Sequence, residues 1–419
     1  MIKEECCIIC GRDIEDERFI IMNGKCMCSN CMAMISRQEK VLRGGGAVIG
    51  GTSEQLEKGL ADYLSGISEV EDNNAGEIDY ERYTPKYIYD ELSRYVVGQH
   101  EAKVKLAVAA HEHMMRISGL CDIDKSNVLM VGSTGSGKTY LIENLARILN
   151  VPFVVADATA FTEAGYAGAD IDNIIKSLYA KAGGNRELAE RGIVFIDEFD
   201  KLCKSGPVTS SGVAGVGTKG VQQELLKMVE SAEVGVGPKN FSVEKKISTK
   251  NILFICGGAF VGLEECIERR LHPVRSMGFG ANVEKTGVRP VLTQAAVEDL
   301  VAYGVIPEMA GRLPVLAKLE DLDQVMLVKI FSEPVNCLLH QYEKRFLCDG
   351  IELVLENEVI DYIASEALKL KVGSRGLKNV AEGLFSEFLF KAPGSGASRL
   401  TFAFENGVPV GHLEYAAYA

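Results

Sequence analysis

The sequence of 419 residues lacks tryptophan, and aromatic residues make up only 7% of it. It also lacks a run of about 18 apolar residues, the length that a membrane-spanning helix requires, so we expect no transmembrane segment. No apolar stretch follows the acidic start MIKEECC, which indicates no secretory signal and predicts a cytoplasmic protein. Positive charge is not in excess either. The formal net charge of −13 argues against a general nucleic-acid binder, because such proteins neutralise phosphates with a basic face.

Cysteine, in contrast, is abundant, with 12 residues. Without an export signal, these residues are expected to be thiols or metal ligands rather than disulfides. Two C-x2-C pairs near the start have the spacing of a tetrahedral four-thiolate zinc site, and their members are Cys7, Cys10, Cys28 and Cys31. Cys6 and Cys26 are surplus, so shifted pairs, with poorer spacing, remain open. A module this small has too little core to fold on apolar burial alone, so bound metal would supply much of its stability.

The sequence divides into segments of different composition. Residues 1–43 hold the cysteine-rich module, whose seven basic and seven acidic side chains balance, unlike those of a DNA reader. Residues 44–80 carry eight acidic residues and one lysine, which predicts a flexible acidic linker.

From residue 81 onward, apolar strands alternate with helical patterns. Strands are predicted at 127–131, 152–156, 192–196 and 251–256, and helices at 138–149, 171–182 and near 219–231. Thr84 is expected to cap a helix that begins with Pro85. This alternation predicts an α/β fold over residues 81–316, with a parallel sheet covered by helices on both faces. Residues 317–419 are mostly helical with two strands, IELVLE and RLTFAFE, which indicates a smaller second subdomain.

One glycine-rich segment, GSTGSGKT, matches the Walker A pattern and lies between a predicted strand and a predicted helix. Such a loop binds phosphate oxygens with its backbone N–H groups and with the helix N-terminus. Lys138 is expected to reach the β and γ phosphates, and the Thr139 hydroxyl to bind Mg²⁺. The predicted ATP and Mg²⁺ residues of this segment are Gly132, Ser133, Thr134, Gly135, Ser136, Gly137, Lys138, Thr139 and the following Tyr140.

The second part of the predicted site is GIVFIDEFDK, in which an apolar strand runs into two acidic residues. Asp197 can hold the metal directly or through water, and Glu198 can act as the general base for an attacking water. The glutamate favours hydrolysis of ATP over phosphoryl transfer to a second substrate.

The chain resembles the ClpX family of AAA+ protein unfoldases. The resemblance rests on the ordered stretches SNVLMVGSTGSGKT, VPFVVADATAFTEAGYAG, RGIVFIDEFDK, NILFICGGAF, IPEMAGRLPV and GSRGLKNV. It implies an AAA+ P-loop NTPase with a small, mainly helical C-terminal subdomain and an N-terminal zinc-binding module. It also implies a ring of six subunits with ATP bound between neighbours, which unfolds proteins.

The resemblance implies further site residues. Arg312 would be the arginine finger that stabilises charge at the next subunit's nucleotide. Arg375 would be a sensor arginine that contacts the nucleotide of its own chain. VVGQ (96–99) resembles the segment that lines the adenine pocket, so Val96 and Val97 are expected base contacts.

Two loops are expected to contact other proteins. The pore loop implied by the resemblance is Gly165, Tyr166, Ala167 and Gly168, whose tyrosine would grip an unfolded polypeptide through its apolar face. Ala167 stands where the family usually has a bulkier residue. The implied docking tripeptide for the ClpP peptidase is Met277, Gly278 and Phe279. The zinc module is expected to dimerise and to recruit substrates and adaptor proteins.

The chain departs from the family pattern before the NILFIC strand. The family carries a basic Arg-Lys-His loop there, whereas this chain has the shorter EVGVGPKNFSVEKKISTK. Recognition of substrate tails that depends on that loop is therefore expected to differ.

Two alternatives remain open at this point. One is a stand-alone remodelling ATPase, which would not need the docking tripeptide. The other is a zinc-dependent nucleic-acid-binding regulator with an ATP switch, against which the acidic net charge and the tyrosine loop both argue.

Overall fold

The structure is a computed structural model that describes residues 19–22, 25–28, 80–161, 171–203, 216–236, 245–271 and 295–415. The chain divides into two compact units, Met1–Asn74 and Ala75–Ala419. The described part of the first unit is an antiparallel hairpin of β1 (Phe19–Met22) and β2 (Lys25–Cys28). Asn-Gly separates these strands in the sequence, and this dipeptide is strongly favoured in two-residue hairpin connections.

The second unit begins with the helices α1 (Pro85–Ser93) and α2 (His100–Ile117). The Thr84 hydroxyl accepts a hydrogen bond from the Tyr87 N–H at 3.2 Å, so the predicted start of α1 is confirmed. Strands and helices then alternate through the large subdomain. They are β3 (Val128–Val131), α3 (Lys138–Leu149), β4 (Phe153–Asp157), α4 (Asp172–Lys181), α5 (Arg186–Glu190), β5 (Ile193–Asp197), α6 (Val216–Ser231), β6 (Glu233–Val236), β7 (Lys245–Ser248), β8 (Leu253–Gly258), α7 (Leu263–Leu271), α8 (Val297–Tyr303), α9 (Pro307–Gly311) and β9 (Val315–Lys318).

Five of these strands form a parallel sheet in the order β4-β5-β8-β3-β9, which confirms the predicted α/β fold. Alternate residues of β3 enter two hydrophobic clusters: Val128 and Met130 pack on one face, and Leu129 and Val131 on the other. Because both faces are covered, the strands are nearly continuous apolar runs. β3 is the first strand of this sheet in sequence but lies inside it, and open α/β sheets bind ligands where the strand order switches.

Three strands of the large subdomain were not predicted: β9 at the edge of the sheet, and the pair β6 and β7. β6 and β7 pair in an antiparallel hairpin in which Val234 lies opposite Ile247. Both residues are buried, whereas charged residues and glycine occupy much of the rest of the two strands. One buried cross-strand pair gives too weak a sequence pattern to distinguish a strand from a loop.

The small subdomain contains four helices and a three-stranded sheet in the order β10-β11-β12. Its core includes four fully buried phenylalanines, Phe331, Phe346, Phe385 and Phe402. The elements are α10 (Gln324–Ser332), α11 (Leu338–Leu347), β10 (Glu352–Leu355), α12 (Asn357–Lys369), α13 (Arg375–Lys391), β11 (Ala397–Glu405) and β12 (Val408–Tyr415). The two predicted strands are confirmed as β10 and β11.

The third strand, β12, was missed because VPVGHLEY contains proline and glycine. It continues antiparallel from β11 through Asn406 and Gly407, whose φ angles of 50° and 85° suit a tight hairpin turn. The Asn-Gly dipeptide was the signal that could have revealed it.

The boundary that we placed at residue 316 falls inside β9, which is paired with β3 along its whole length. Leu319 still packs in the core of the large subdomain. Residues 317–319 therefore pack with the large subdomain, because an edge strand joins its sheet through backbone pairing that the sequence does not display.

Within the described ranges, no helix is both long enough and apolar enough to cross a membrane.

Candidate functional site

The predicted phosphate-binding loop, residues 132–137, connects β3 to α3. Gly135 and Gly137 have φ angles of 79° and 96°, left-handed values that residues with a side chain rarely adopt. A Cβ atom on Gly135 would lie 2.2 Å from the Val372 carbonyl oxygen. The loop thus depends on glycine both for its conformation and for the close approach of the small subdomain. It leads directly into the N-terminus of a helix, an arrangement that binds phosphate.

Lys138 is the first residue of α3, and its side chain is buried. Its ammonium group donates hydrogen bonds to the carbonyl oxygens of Gly132 at 2.7 Å and Ser133 at 3.1 Å. Burial lowers the pKa of Lys138, and the nearby carboxylates of Asp197 and Asp200 partly oppose that shift. Negative charge at this point of the site therefore favours the charged form of the lysine.

The two predicted metal-binding residues lie together. The Thr139 hydroxyl donates a hydrogen bond to Asp197 Oδ2 at 3.2 Å. Asp197 is the last residue of β5, and Thr139 lies in the first turn of α3, so two neighbouring elements bring both oxygens to the same edge of the sheet. A hydroxyl and a carboxylate are the protein ligands with which a P-loop holds Mg²⁺.

Glu198 follows Asp197 directly and has a φ angle of 54°. This left-handed conformation is uncommon for a residue with a side chain and often marks a functional position. The Glu198 N–H donates to Asp197 Oδ1 at 2.9 Å, and the residue itself is exposed. A 3-10 turn, Phe199–Leu202, begins immediately after it. The carboxylate that we predict to be the general base thus stands at a bend between β5 and the 3-10 turn.

A cavity of about 530 Å³ lies between the two subdomains at this edge of the sheet, within the usual range for ligand pockets. The predicted residues that line it are Thr134, Gly135, Gly137, Lys138, Thr139, Tyr140, Asp197, Glu198 and Arg375. The small subdomain adds apolar side chains, including Ile330, Leu338 and Leu377. One end of the cavity is therefore polar and phosphate-binding, and an apolar wall is available for a base.

Several predicted residues do not line the cavity: Gly132, Ser133, Ser136, Val96, Val97 and Arg312. Gly132 and Ser133 serve through their carbonyl groups, which hold Lys138. Val96 packs in the core of the large subdomain, and the neighbouring Tyr95 lines the cavity instead. That Val96 and Val97 contact the base stays a prediction, which their absence from the cavity lining does not favour.

The structure shows a different use for VVGQ. Gln99 is buried, and its side chain brackets the main chain of Glu320: its amide donates to the Glu320 carbonyl at 3.0 Å and accepts from the Glu320 N–H at 2.7 Å. Gln99 itself has a left-handed φ of 55°. Glu320 lies between β9 and α10, so Gln99 fixes the segment that connects the two subdomains.

The small subdomain touches the phosphate loop directly. Both the N–H and the hydroxyl of Ser374 donate to the Gly135 carbonyl, each at 3.1 Å. The Tyr140 hydroxyl donates to Asn336 Oδ1 at 2.8 Å. Arg375, the first residue of α13, borders the same cavity. Sequence reasoning found Arg375 and Tyr140 but missed Ser374 and Asn336, because only the packing of two distant segments makes them neighbours.

Asp200 was also missed, although it follows the DEF of the acidic motif. It is 1% exposed and borders the cavity, and its Oδ1 accepts from the Ala259 N–H at 3.2 Å. Among the buried side-chain oxygens and nitrogens of the described residues, those without a hydrogen-bond partner are Asp200 Oδ2 and Ser136 Oγ. Both belong to this site. Polar atoms of this kind, together with the Thr139–Asp197 pair, fit a bound phosphate and metal.

Arg312 does not line the nucleotide cavity of its own chain. Its guanidinium forms an ion pair with Glu230 on α6 at 2.8 Å, and its side chain remains 57% exposed. Its carbonyl accepts a hydrogen bond from the buried amide of Asn127 at 3.1 Å. The residue is therefore held at its backbone and presents an accessible guanidinium away from the nucleotide loop of the same chain.

Several predicted residues lie outside the described residues. They are the pore-loop residues Gly165, Tyr166, Ala167 and Gly168, the docking residues Met277, Gly278 and Phe279, and the cysteines Cys7, Cys10 and Cys31. Cys28 is the last residue of β2, opposite Phe19. Among the described residues, no group of three or more His, Cys, Asp or Glu residues is arranged to hold a metal ion.

Comparison with known proteins identifies two matching families. The family described as "AAA domain (Cdc48 subfamily)" matches residues 123–316, and "C-terminal, D2-small domain, of ClpB protein" matches residues 322–399. Curated relatives named "ATP-dependent Clp protease ATP-binding subunit ClpX" cover most of the chain. That of Borrelia duttonii (strain Ly) is 43% identical over 326 residues, 74% of this chain and 75% of the relative. That of Azotobacter vinelandii is 42% identical over 330 residues, 74% of each. That of Bacteroides thetaiotaomicron is 39% identical over 404 residues, 92% of this chain and 91% of the relative.

Proposed function

Because this chain belongs to the ClpX family, we propose that it is an ATP-dependent protein unfoldase that feeds substrate proteins to the ClpP peptidase. Its AAA domain makes it an ATPase. The relatives' name assigns ATP binding to one subunit of a protease. The sequence carries neither a G-x-S-x-G nor an H-E-x-x-H signature, so we assign peptide-bond cleavage to the partner.

The contact between Ser374 and Gly135 carries this proposal. It joins the small subdomain to the phosphate loop through two hydrogen bonds to one carbonyl oxygen. A change of charge at the phosphates alters the loop to which the small subdomain is attached. Each cycle of hydrolysis would thereby change the angle between the subdomains, and this movement is what a motor protein needs.

Each residue of the site has a defined task in the proposal. Lys138 binds the β and γ phosphates, and Thr139 and Asp197 hold Mg²⁺. The bound metal neutralises phosphate charge. Glu198 orients the attacking water and accepts its proton. Arg375 reports the nucleotide state to the small subdomain, because it begins α13 and borders the cavity.

We assign Arg312 to the nucleotide of a neighbouring subunit in a ring of six. Its guanidinium is exposed, and it does not line the nucleotide cavity of its own chain; both observations support this role. An arginine supplied in this way stabilises the charge that develops on the γ-phosphate and raises turnover by about 10³ to 10⁵.

The substrate and partner contacts complete the proposal. Tyr166, between Gly165 and the Ala167-Gly168 pair, would grip the polypeptide, and Met277, Gly278 and Phe279 would dock on ClpP. The cysteines Cys7, Cys10, Cys28 and Cys31 would bind zinc in a module that recruits substrates and adaptors. Since β6 and β7 frame a segment without the family's Arg-Lys-His tripeptide, the tail sequences that this chain prefers would differ from those of relatives that carry it.

Degradation of a folded, tagged reporter with and without ClpP tests this function. We expect degradation only with ATP, Mg²⁺ and ClpP together. Glu198→Gln should bind ATP but lose turnover by about 10² to 10⁴. Tyr166→Ala should hydrolyse ATP yet unfold the reporter slowly, whereas Tyr415→Ala, which removes an exposed tyrosine elsewhere, should behave as wild type.

Two outcomes would contradict different parts of the proposal. If Tyr166→Ala unfolds the reporter at the wild-type rate, the proposed pore loop does not grip the substrate. Unfolding of the reporter without any ClpP-dependent peptide release would favour the stand-alone remodelling ATPase.

A further inference from the structure

A buried glutamine on α6 connects the turn that follows Glu198 to the segment that precedes Arg312, two parts of the chain to which the proposed mechanism gives different tasks. Gln222 is 0% exposed, and its side-chain amide donates to the carbonyl oxygens of Leu202 at 2.9 Å and Gly304 at 3.1 Å. Its Oε1 accepts from the Ile306 N–H at 2.9 Å. Both N–H donors of the side chain are used, and its oxygen is engaged as well.

The first partner belongs to the chain's own nucleotide site. Leu202 is the last residue of the 3-10 turn that begins directly after Glu198 and contains Asp200. Asp200 and Glu198 border the nucleotide cavity at the start of the turn. Gln222 therefore binds the last residue of this turn, Phe199–Leu202, which we name the catalytic turn because it follows Glu198.

The other two partners belong to the segment that carries the arginine finger. Gly304 ends α8, Ile306 is the N-cap of α9, and Arg312 follows α9 directly. Gly304 has a φ of 120°, and a Cβ there would lie 2.0 Å from the Cys203 carbonyl oxygen. The turn before α9 is thus packed against the residue that follows the catalytic turn.

Helix α6 holds α9 at both ends. Gln222 binds the residue that precedes α9, and Glu230 pairs with Arg312, which follows it. Gln222 and Glu230 are eight positions apart, which corresponds to about 12 Å of helix. The body of α9 is also fixed, because Met309 and Ala310 are fully buried in the same core. A shift of the catalytic turn therefore cannot leave α9 in place without breaking the bonds of Gln222.

We propose that Gln222 is a positioning residue that sets the placement of Arg312 from the chain's own catalytic turn, and so couples hydrolysis in one subunit to catalysis in the next. The inference rests on the proposed ring and on Arg312 as its arginine finger. Buried amides whose groups are all bonded are rigid, and removal of one leaves its partners unpaired, so such a group transmits displacement rather than absorbing it. A misplacement of about 1 Å at a catalytic group lowers the rate on the order of 10²-fold.

Mixed rings separate two effects of one subunit: hydrolysis at its own nucleotide site, and the contribution of its Arg312 to the neighbouring site. Donor subunits carry Glu198→Gln, so they cannot hydrolyse ATP, and they are mixed in excess with wild-type subunits. The measured turnover then comes from wild-type sites whose neighbours are donors. We compare donors with Glu198→Gln alone, with added Gln222→Glu and with added Arg312→Ala. Gln222→Glu keeps the acceptor for Ile306 and loses both donors, and Gln222→Leu serves as a second variant.

Donors with Gln222→Glu should lower kcat of the wild-type sites by about 10-fold or more, with KM for ATP unchanged. Donors with Gln223→Glu, the exposed neighbouring residue of α6, should not. The double change Gln222→Glu with Arg312→Ala should be no worse than Arg312→Ala alone, because both act through one group. Ring size and the midpoint of thermal unfolding are measured on every donor.

The outcomes separate the two claims. If Arg312→Ala donors leave wild-type sites at full speed, the finger assignment fails, and the inference falls with it. If Arg312→Ala donors slow their neighbours but neither folded Gln222 variant does, the inference alone is wrong. A lowered melting temperature without a loss of kcat in the neighbours also counts against it, since that result is expected of a purely structural glutamine.

Discussion

At the scale of single residues, the nucleotide site gathers side chains and conformations that cost stability elsewhere in a protein. Lys138 is buried beside the carboxylates of Asp197 and Asp200, and Glu198 has a left-handed backbone. Asp200 Oδ2 is buried without a hydrogen-bond partner among the described residues. Buried charges, strained backbone and unpaired buried polar atoms lower stability, and they persist where function requires them.

Asp200→Asn tests the electrostatic part of this arrangement. The asparagine can still accept the hydrogen bond from the Ala259 N–H, so we expect a folded protein. Burial already lowers the pKa of Lys138, and Asp200 opposes that shift. Loss of the carboxylate lowers the pKa further, so the lysine loses its proton at a lower pH. The affinity for ATP should therefore fall sooner in the variant than in the wild type as pH rises above neutrality.

Titration of ATP binding against pH measures this effect. Asp157→Asn, a change outside the cavity, should leave the pH dependence as it is in the wild type. An identical pH profile for Asp200→Asn and the wild type would contradict the assigned influence of Asp200 on Lys138.

At the scale of elements, the site is assembled by close approaches of backbone. β8 ends in Gly257 and Gly258, where a Cβ would lie 2.5 Å from the Phe195 ring and 2.6 Å from Asp200 Oδ1, respectively. Because these two residues have no side chain, the turn that follows β5 can pack against the end of β8. The Gly132 N–H donates to the Gly258 carbonyl at 3.2 Å, so β8 also anchors the start of the phosphate loop.

Gly135→Ala tests the contact between the phosphate loop and the small subdomain. The added methyl group would meet the Val372 carbonyl at 2.2 Å at a φ of 79°. We expect the Ser374 hydrogen bonds to be lost and the ATP affinity to fall by at least about 10-fold, since two hydrogen bonds of about 1 kcal/mol each are removed. Isothermal titration with ATP measures this loss.

Gly119→Ala is the matched control. Gly119 has a similar φ of 75° with no atom within 4 Å of the added methyl group, so it reports only the cost of the left-handed conformation, about 1 kcal/mol of stability. Equal ATP affinity in the two variants would show that the subdomain contact does not support the site.

At the scale of the whole molecule, hydrogen bonds, both exposed and partly buried, join the two subdomains of the larger unit, and each described hydrophobic cluster belongs to one subdomain or the other. Gln99 brackets Glu320 at the connection, and Tyr140 reaches Asn336 across the cavity. Hydrogen bonds that can be exchanged permit movement between the subdomains, whereas a continuous apolar core would resist it.

The cysteine-rich module is predicted to depend on metal for its fold. We expect purified protein to contain one zinc ion per chain, and Cys28→Ser to lower this content. ATP hydrolysis in the absence of substrate should be unchanged, because the nucleotide site lies within Ala75–Ala419. Metal analysis and the far-ultraviolet circular dichroism of both proteins check this prediction.

Cys121→Ser, in the larger unit, is the control and should retain the metal. Full zinc content in Cys28→Ser would remove this residue from the ligand set and leave the shifted pairs with Cys6 or Cys26.

The sequence by itself determined the elements of the nucleotide site. A strand, a glycine loop and a helix are contiguous in the chain, so GSTGSGKT and FIDE specify local geometry that the structure reproduces around Gly135, Lys138 and Asp197. Apolar runs likewise predicted four of the five strands of the large sheet, because burial on both faces leaves few polar positions, whereas the edge strand β9 was not predicted.

Only the tertiary structure decided which distant residues complete the site. Ser374 reaches Gly135 across 239 positions of the chain, and Gln99 reaches Glu320 across 221. Gln222 meets three backbone groups that no spacing brings together. These contacts arise from the packing of whole elements, and a polar residue on a helix has the same sequence signature whether it faces water or is buried among backbone groups.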